Sequence, residues 1–107
     1  MGEKGKKLSQ ESVLTAELLL ERLSPIGGIT SKKMFGGHGI FHEGKMLGIV
    51  DSKGQGYFKA DDSNRADFEA FDSHKHNRMP YLSIPEKIFN DPETLVTWAK
   101  KSIDISK

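Results

Sequence analysis

Glycine recurs through residues 34–50 in a pattern that constrains the fold more than any other feature of the sequence. Gly36, Gly37 and Gly39 fall within four positions, and apolar residues lie on both sides of them. Glycine adopts positive φ and allows another backbone to approach closely, so within a strand pattern it marks a bulge or a sharp bend. We therefore predict a bent β-meander here, in which the glycines shape the backbone and take no part in chemistry.

The composition fits a single globular domain with a small net charge. The chain has 107 residues, and 36% of them are hydrophobic, which suffices for one modest core. Its net charge is +1, so no overall attraction draws it to nucleic acid or to a membrane surface. Cysteine is absent, which excludes disulfides, thiolate catalysis and cysteine-ligated metal sites. With no signal-peptide pattern and no apolar run near the ~20 residues that span a bilayer, we expect a cytoplasmic protein.

The first helix is predicted from apolar residues at helical spacing. Residues 1–7 are polar and rich in lysine, and we expect them to form a disordered tail ahead of one domain at residues 8–107. Either Ser9 or Ser12 provides a cap, and Pro25 ends the helix. The stripe that we expect to be buried consists of Val13, Ala16, Leu19, Leu20 and Leu23.

Four short strands are predicted after the first helix, joined by tight connections. Lys32 and Lys33 suit an edge strand, because charge there discourages pairing with other chains. Glu43 and Gly44 have the chemistry of a tight hairpin turn. The strands form a predicted antiparallel meander at residues 29–35, 37–43, 45–51 and 57–60.

The rest of the chain is predicted to add two helices, a helical turn and one strand. Phe68 and Phe71 mark one helical face that we expect to pack on the sheet. Asp91 and Pro92 are a helix cap and a first helical residue, and they predict a final helix whose buried stripe is Leu95, Trp98, Ala99 and Ile103. The order α-β-β-β-β-α-β-α defines an α+β fold. The predicted segments are a helix at residues 65–71, a strand at 79–84, a helical turn at 85–89 and the final helix.

One motif has the spacing of a nucleotide site but lacks its chemistry. Gly39, Gly44 and Lys45 match the spacing of a phosphate-binding loop. Met46, however, occupies the position where a magnesium-binding Ser or Thr is required. An apolar strand follows it, whereas the loop must open onto a helix N-terminus. We therefore interpret the segment as a hairpin turn.

Two adjacent acids are the nearest approach to an acid–base pair. Asp61 and Asp62 would serve catalysis if burial separated their pKa values. They stand beside Ser63 and Asn64, directly ahead of a predicted helix, and we interpret them as capping residues. The sequence contains no G-x-S-x-G nucleophile turn.

The four histidines do not form a clear metal-ligand set. His38 and His42 share a strand face but stand ~13 Å apart, too far to bind one ion. His74 and His76 would approach each other in a loop, and Asp72 would add a carboxylate. Zinc normally requires a clearer set of ligands, so we interpret them as surface histidines.

Scattered basic residues would form a nucleic-acid surface if the fold brought them together. Phosphate contacts would then appear as salt-dependent binding. Because acids are interspersed among them, solvated surface charge is the plainer interpretation. The residues concerned are Lys32, Lys33, Lys75, Arg78, Lys100 and Lys101.

From Met34 to its C-terminus the sequence resembles the N-terminal domain of the TfoX/Sxy family of bacterial competence regulators. The resemblance implies an α+β fold similar to secretion-chaperone-like domains, and a role in regulating DNA-uptake genes together with a cyclic-AMP receptor protein. It provides no catalytic residue. The full regulators carry a second, C-terminal helical domain, so we expect here a stand-alone domain of the N-terminal type. The matching segments are residues 34–41, Gly44, Gly48, residues 57–61, Phe68, Glu69, residues 79–86, residues 91–95, Trp98 and Ala99.

We interpret the chain as a non-enzymatic interaction domain, a transcriptional co-regulator that acts through protein contacts without cofactor or metal. The edge strand and the glycine hairpin are the expected contact surface, because an exposed strand pairs with a partner's backbone. The alternative is direct nucleic-acid binding through Lys32, Lys33, Arg78, Lys100 and Lys101. The residues expected to contact a protein partner are Lys32, Lys33, Phe35, Gly36, Gly37, His38 and Gly39.

Overall fold

A five-stranded antiparallel sheet organises the chain, with its strands in sequential order. The structure is a computed structural model, and it describes residues 10–34, 36–71, 73–75 and 80–106. Every pair of neighbouring strands is antiparallel, which confirms the predicted meander. The strands are β1 (Ile29–Met34), β2 (Gly37–His42), β3 (Lys45–Val50), β4 (Gly56–Lys59) and β5 (Tyr81–Ser83).

Helices cover one face of this sheet and enclose the main core. The predicted α+β class and the order of elements are confirmed, and the helical turn expected at residues 85–89 forms a short helix. Each fully buried Leu or Phe side chain of this core contributes about 2 kcal/mol to the stability of the folded state. The helices are α1 (Gln10–Arg22), α2 (Arg65–Glu69), α3 (Glu86–Phe89) and α4 (Pro92–Ser106), and a 3-10 turn at Ser24–Ile26 follows α1. The main core includes Leu19, Leu23, Ile40, Leu47, Val50, Phe58, Phe68, Leu95 and Ala99.

The hairpin between β2 and β3 turns on the two residues that the sequence indicated. Glu43 has φ of 51° and Gly44 has φ of 86°, and the flanking His42 pairs with Lys45. Two successive residues at positive φ match the right-handed twist of the strands that they connect. The tight hairpin turn is therefore confirmed.

The buried face of α1 differs from the predicted stripe at three positions, one of which is Leu20, predicted to be buried but only half-buried. Ala16, Leu19 and Leu23 are buried as expected, but Ser12 is also buried and Val13 is 36% exposed. Positions 12, 16, 19 and 23 follow one another at spacings of four, three and four residues, which places them on one helical face. Val13 lies beside that face, so its assignment to the core was wrong.

The cap predicted for α4 is correct, and the cap predicted for α2 is wrong. Asp91 accepts the Thr94 N–H at 3.4 Å, which caps α4, and it also accepts the Thr94 hydroxyl at 2.8 Å. The stripe predicted for α4 is buried. No side-chain bond caps α2, however. Asp61 instead accepts the Ser63 N–H at 2.7 Å, and Asp62 pairs with Arg65 at 2.9 Å. These aspartates stabilise the turn before the helix and its first residue.

The boundaries of the last predicted segments also shift. Helix α2 ends at Glu69, so Phe71 lies beyond it and contacts the edge of the Trp98 ring. Strand β5 is shorter than the predicted 79–84, and Pro80 precedes it, where a missing N–H is tolerated. Met79 lies outside the described residues. Among those residues, no helix combines the length and the apolar character needed to cross a bilayer.

Alanine substitutions at two glycines in β2 compare the cost of a clash with backbone to the cost of a clash with side chains. A Cβ at Gly37 would lie 2.0 Å from the Val50 carbonyl oxygen, whereas one at Gly39 would meet the sulfurs of Met34 and Met46 at 2.8 and 3.0 Å. Backbone cannot move aside as a thioether can. We expect Gly37→Ala to lower the free energy of unfolding by about 3 kcal/mol and Gly39→Ala by about 1 kcal/mol. Urea denaturation measures both, and equal losses of unfolding free energy would contradict these contacts.

Candidate functional site

Strand β1 is an open edge of the sheet. Within the part of the chain that the structure describes, it pairs with β2 alone. The opposite edge, β5, is partly covered, because Ser83 donates to the His74 carbonyl at 2.8 Å and Lys75 bridges Leu82. An uncovered edge presents unpaired backbone groups to other chains. The most accessible pairing surface is therefore β1.

The register shows which backbone groups of β1 point outward. The Gly28 carbonyl accepts a bond from the Glu43 N–H at 3.1 Å, and Met34 pairs with Gly37 across a two-residue loop. In an antiparallel pair, hydrogen-bonded and non-bonded positions alternate along the strand. The even-numbered residues of β1 thus bond to β2. The N–H and C=O groups of Ile29, Ser31 and Lys33 point away from the sheet.

The side chains of β1 alternate between the two faces of the sheet. Lys32 lies on the face opposite the helices, and its Nζ is 5.6 Å from the centre of the Phe41 ring. This distance allows a cation–π interaction. Lys33 is exposed on the other face. The two lysines predicted to contact a partner therefore flank the edge from opposite sides.

The remaining predicted contact residues do not form one surface. Gly36 is exposed in the loop after β1, with φ of 75°, whereas Gly37 and Gly39 are buried. His38 is 7% exposed, and its side chain lies beneath α1. It offers no side-chain contact at the surface. Phe35 lies outside the described residues.

His38 is part of a buried polar pair that the sequence did not reveal. Its Nδ1 lies 3.0 Å from the hydroxyl oxygen of Ser12, a residue of α1 that has no exposed surface. Burial, followed by the positive charge of Lys33, lowers the pKa of His38 below its ordinary value of 6.5. The pair therefore holds a neutral imidazole, and it joins the first helix to the second strand.

The sheet face opposite the helices carries a second apolar cluster. Ile49, Tyr57 and Tyr81 are buried there, with Met46 packed against them. Strand residues two apart share a face, so the alternation of these side chains with core residues in β3 and β4 was the signal available in the sequence. The cluster lies on the same side of the sheet as Lys32, but its side chains are buried and add no exposed apolar surface.

A hydrogen-bonded group at the far end of the sheet joins a carboxylate, a phenol and an imidazole. Tyr57 donates to Asp51 Oδ2 at 3.0 Å, and its hydroxyl oxygen lies 3.2 Å from His74 Nε2. Burial, the hydrogen bond to Asp51 and the charge of Asp51 raise the pKa of Tyr57 to about 12. The phenol stays protonated at neutral pH and is no nucleophile there.

The predicted metal ligands and nucleic-acid contacts are only partly placed by the structure. His76 and Arg78 lie outside the described residues. The residues that are described contain no group of three histidine, aspartate or glutamate side chains able to hold a metal ion. Lys101 pairs with Asp67 at 2.7 Å, and Lys100 is exposed beside it on α4. Since α4 packs on the helix side of the sheet, these lysines do not share a surface with Lys32.

Comparison with known protein families identifies a family to which the chain is similar. The model of the TfoX N-terminal domain matches residues 21–106. That span contains all five strands and α2 to α4, but only the last two residues of α1. A search of curated proteins finds no match.

The lowered pKa of His38 predicts how stability depends on pH. Below about pH 6.5 the unfolded chain binds this proton more readily than the folded domain, so the free energy of unfolding falls as the pH drops. Above that pH, His38 is neutral in both states and causes no loss of stability. We expect His38→Asn to reduce the slope of unfolding free energy against pH in the acid range, measured by urea denaturation. His42→Gln is the matched control and should retain the slope, whereas an unchanged slope in His38→Asn would contradict the burial of His38.

Proposed function

Because the chain belongs to the TfoX N-terminal domain family, a competence-related family, we propose that it is a non-enzymatic co-regulator of DNA-uptake genes that acts through protein contacts. The observation that carries this proposal is the open edge of β1. Three residues there direct backbone groups outward that pair with no other segment among the described residues, and two lysines flank them. The resemblance to TfoX/Sxy regulators supports a cyclic-AMP receptor protein as the partner.

Strand addition is the binding mode that this edge supports. A partner segment in extended conformation would bond to the backbone of Ile29, Ser31 and Lys33, and so extend the sheet by one strand. Main-chain bonds would provide affinity. Specificity would come from side chains that meet Lys32 on one face and Lys33 on the other. An acidic segment fits best, because it places carboxylates opposite both lysines.

The geometry supports binding better than turnover. Tyr57 is protonated at neutral pH, and its Asp51 partner also accepts the N–H groups of Lys53 and Gln55, each at 2.9 Å. A carboxylate used by three donors is a turn-stabilising group. The hydrogen bonds among Asp51, Tyr57 and His74 hold the β3–β4 turn against residues 73–75, which lie beside β5. The proposed function therefore assigns no catalytic residue.

A proline substitution at the edge tests whether the partner binds by hydrogen bonds to the backbone of β1. Ser31→Pro removes an outward N–H and leaves every bond to β2 in place, since proline is tolerated on the open side of an edge strand. We expect it to weaken binding of purified cyclic-AMP receptor protein by at least about tenfold, because one hydrogen bond is lost and the ring obstructs the added strand. Binding is measured by biolayer interferometry on the folded domain.

The control for this experiment is Ser31→Ala, which retains the N–H and should bind like the unaltered domain. Thermal unfolding of both variants verifies that the sheet is intact. Equal affinity of the proline and alanine variants would contradict strand addition. If the unaltered domain fails to bind the receptor protein, that partner assignment is wrong.

Direct nucleic-acid binding gives a different result in a titration with duplex DNA. The lysines available for it lie on opposite sides of the sheet, and Lys101 already pairs with Asp67. We expect no binding at physiological salt, because affinity for duplex depends on several phosphate contacts made together. Tight binding whose affinity falls steeply between low and high salt would favour the nucleic-acid alternative over the protein-contact proposal.

A further inference from the structure

Helix α1 carries exposed apolar side chains on the side that faces solvent. Leu14 is 57% exposed and Val13 is 36% exposed. Leu18 follows Leu14 by one turn and is only half-buried. Phe71, another large exposed apolar residue, differs because it packs against the Trp98 ring. Val13 lies nearer the buried face, so we refer to Leu14 and Leu18 alone as the apolar ridge.

The orientation of the apolar ridge is fixed by polar bonds at both ends of α1. Arg22 donates to the Phe89 carbonyl at 2.9 Å, and its guanidinium lies 4.6 Å from the centre of the Phe89 ring. Thr15 donates to the Gly54 carbonyl at 2.8 Å. The buried contact with His38 described above holds the first turn. The helix cannot rotate to bury its ridge without breaking these bonds.

Acidic residues surround the apolar ridge. Glu11, Glu17 and Glu21 are exposed on the solvent side of α1. None of them forms an ion pair with any residue that the structure describes. The one basic residue of α1, Arg22, is already engaged at the end of the helix. The exposed side of α1 thus places Leu14 and Leu18 among negatively charged side chains.

We propose that the apolar ridge is a docking surface for a basic amphipathic helix of a partner protein. Leucine side chains of that helix would cover Leu14 and Leu18, and its lysine or arginine residues would pair with the flanking glutamates. A second copy of this chain fits poorly, because packing α1 against itself would bring acids together. Helix α1 has 13 residues, a length of about 20 Å, so it matches a partner helix of three to four turns.

This surface is separate from the proposed function of the β1 edge. All of α1 before Glu21 precedes the span matched by the family model, which begins at residue 21. The apolar ridge therefore belongs to a part of the chain that the family match does not describe. Its occupant need not be the partner that pairs with β1.

The test uses a defined peptide as the probe. A fluorescein-labelled helix of about 18 leucine and lysine residues, amphipathic at helical spacing, is titrated with the full chain at low salt and followed by fluorescence anisotropy. A matched peptide with glutamate in place of lysine is the control ligand. We expect the basic peptide to bind and the acidic peptide to bind at least about tenfold more weakly.

Substitutions in α1 identify the surface. We expect Leu14→Ser to weaken binding of the basic peptide by about tenfold, since the contact loses a buried leucine. Glu17→Lys should also weaken it, and Glu69→Lys on α2, the same charge change elsewhere, should not. Because Leu14 and Glu17 face solvent, both variants should unfold at the temperature of the unaltered chain.

Three results would overturn the proposal. The first is absence of binding by the unaltered chain. The second is binding that Leu14→Ser and Glu17→Lys leave unchanged. The third is a dimer in sedimentation equilibrium that Leu14→Ser dissociates, which would assign the apolar ridge to a second copy of the chain.

Discussion

The sheet depends on two places where backbone occupies the volume that a side chain would otherwise fill. A Cβ at Gly37 would lie 2.0 Å from the Val50 carbonyl oxygen, and one at Gly48 would lie 2.6 Å from the Tyr57 carbonyl oxygen. Real Cβ atoms do not approach so closely, so these strands reach their spacing only with glycine at both positions. The register shift within the β2–β3 pair adds a bulge, which increases the local twist.

The alternation within β2 connects this constraint to the rest of the molecule. Gly37 and Gly39 lie on the face opposite the helices, whereas His38 and Ile40 between and after them point toward the helices and are buried. Ile40 joins the main core, and His38 bonds to Ser12 of α1. Strand β2 therefore determines the shape of the sheet and also fixes the position of α1. Within the described part of the chain, this arrangement leaves the solvent side of α1 and the outer edge of β1 accessible to partners.

Local signals in the sequence were sufficient for most of the fold. The Glu43 and Gly44 turn, the Asp91 cap and the buried stripe of α4 each rest on residues close together in the chain, and each was predicted correctly. Their physical causes, positive φ and satisfaction of the first helical N–H groups, act within a few residues.

The candidate site required information from distant residues. Ser12 and His38 are 26 positions apart, and neither residue type indicates burial, so their contact was not predictable from spacing. Lys32 and Lys101 were grouped as basic residues, yet they lie on opposite sides of the sheet. Asp61 was expected to cap a helix, but its nearest donors are those of Ser63 in the preceding turn. In each case the tertiary arrangement decided between interactions that local chemistry allowed equally.

Strand β1 is an open edge of the sheet, and its odd-numbered backbone groups bond to no other segment that the structure describes. Amide hydrogen exchange of the free domain, resolved by residue with NMR, tests this most directly, because an unpaired N–H exchanges faster than one bonded within the sheet. We predict fast exchange at Ser31 and Lys33 and slow exchange at Thr30 and Lys32. Uniform protection along β1 would show that another segment already covers the edge and would contradict the account.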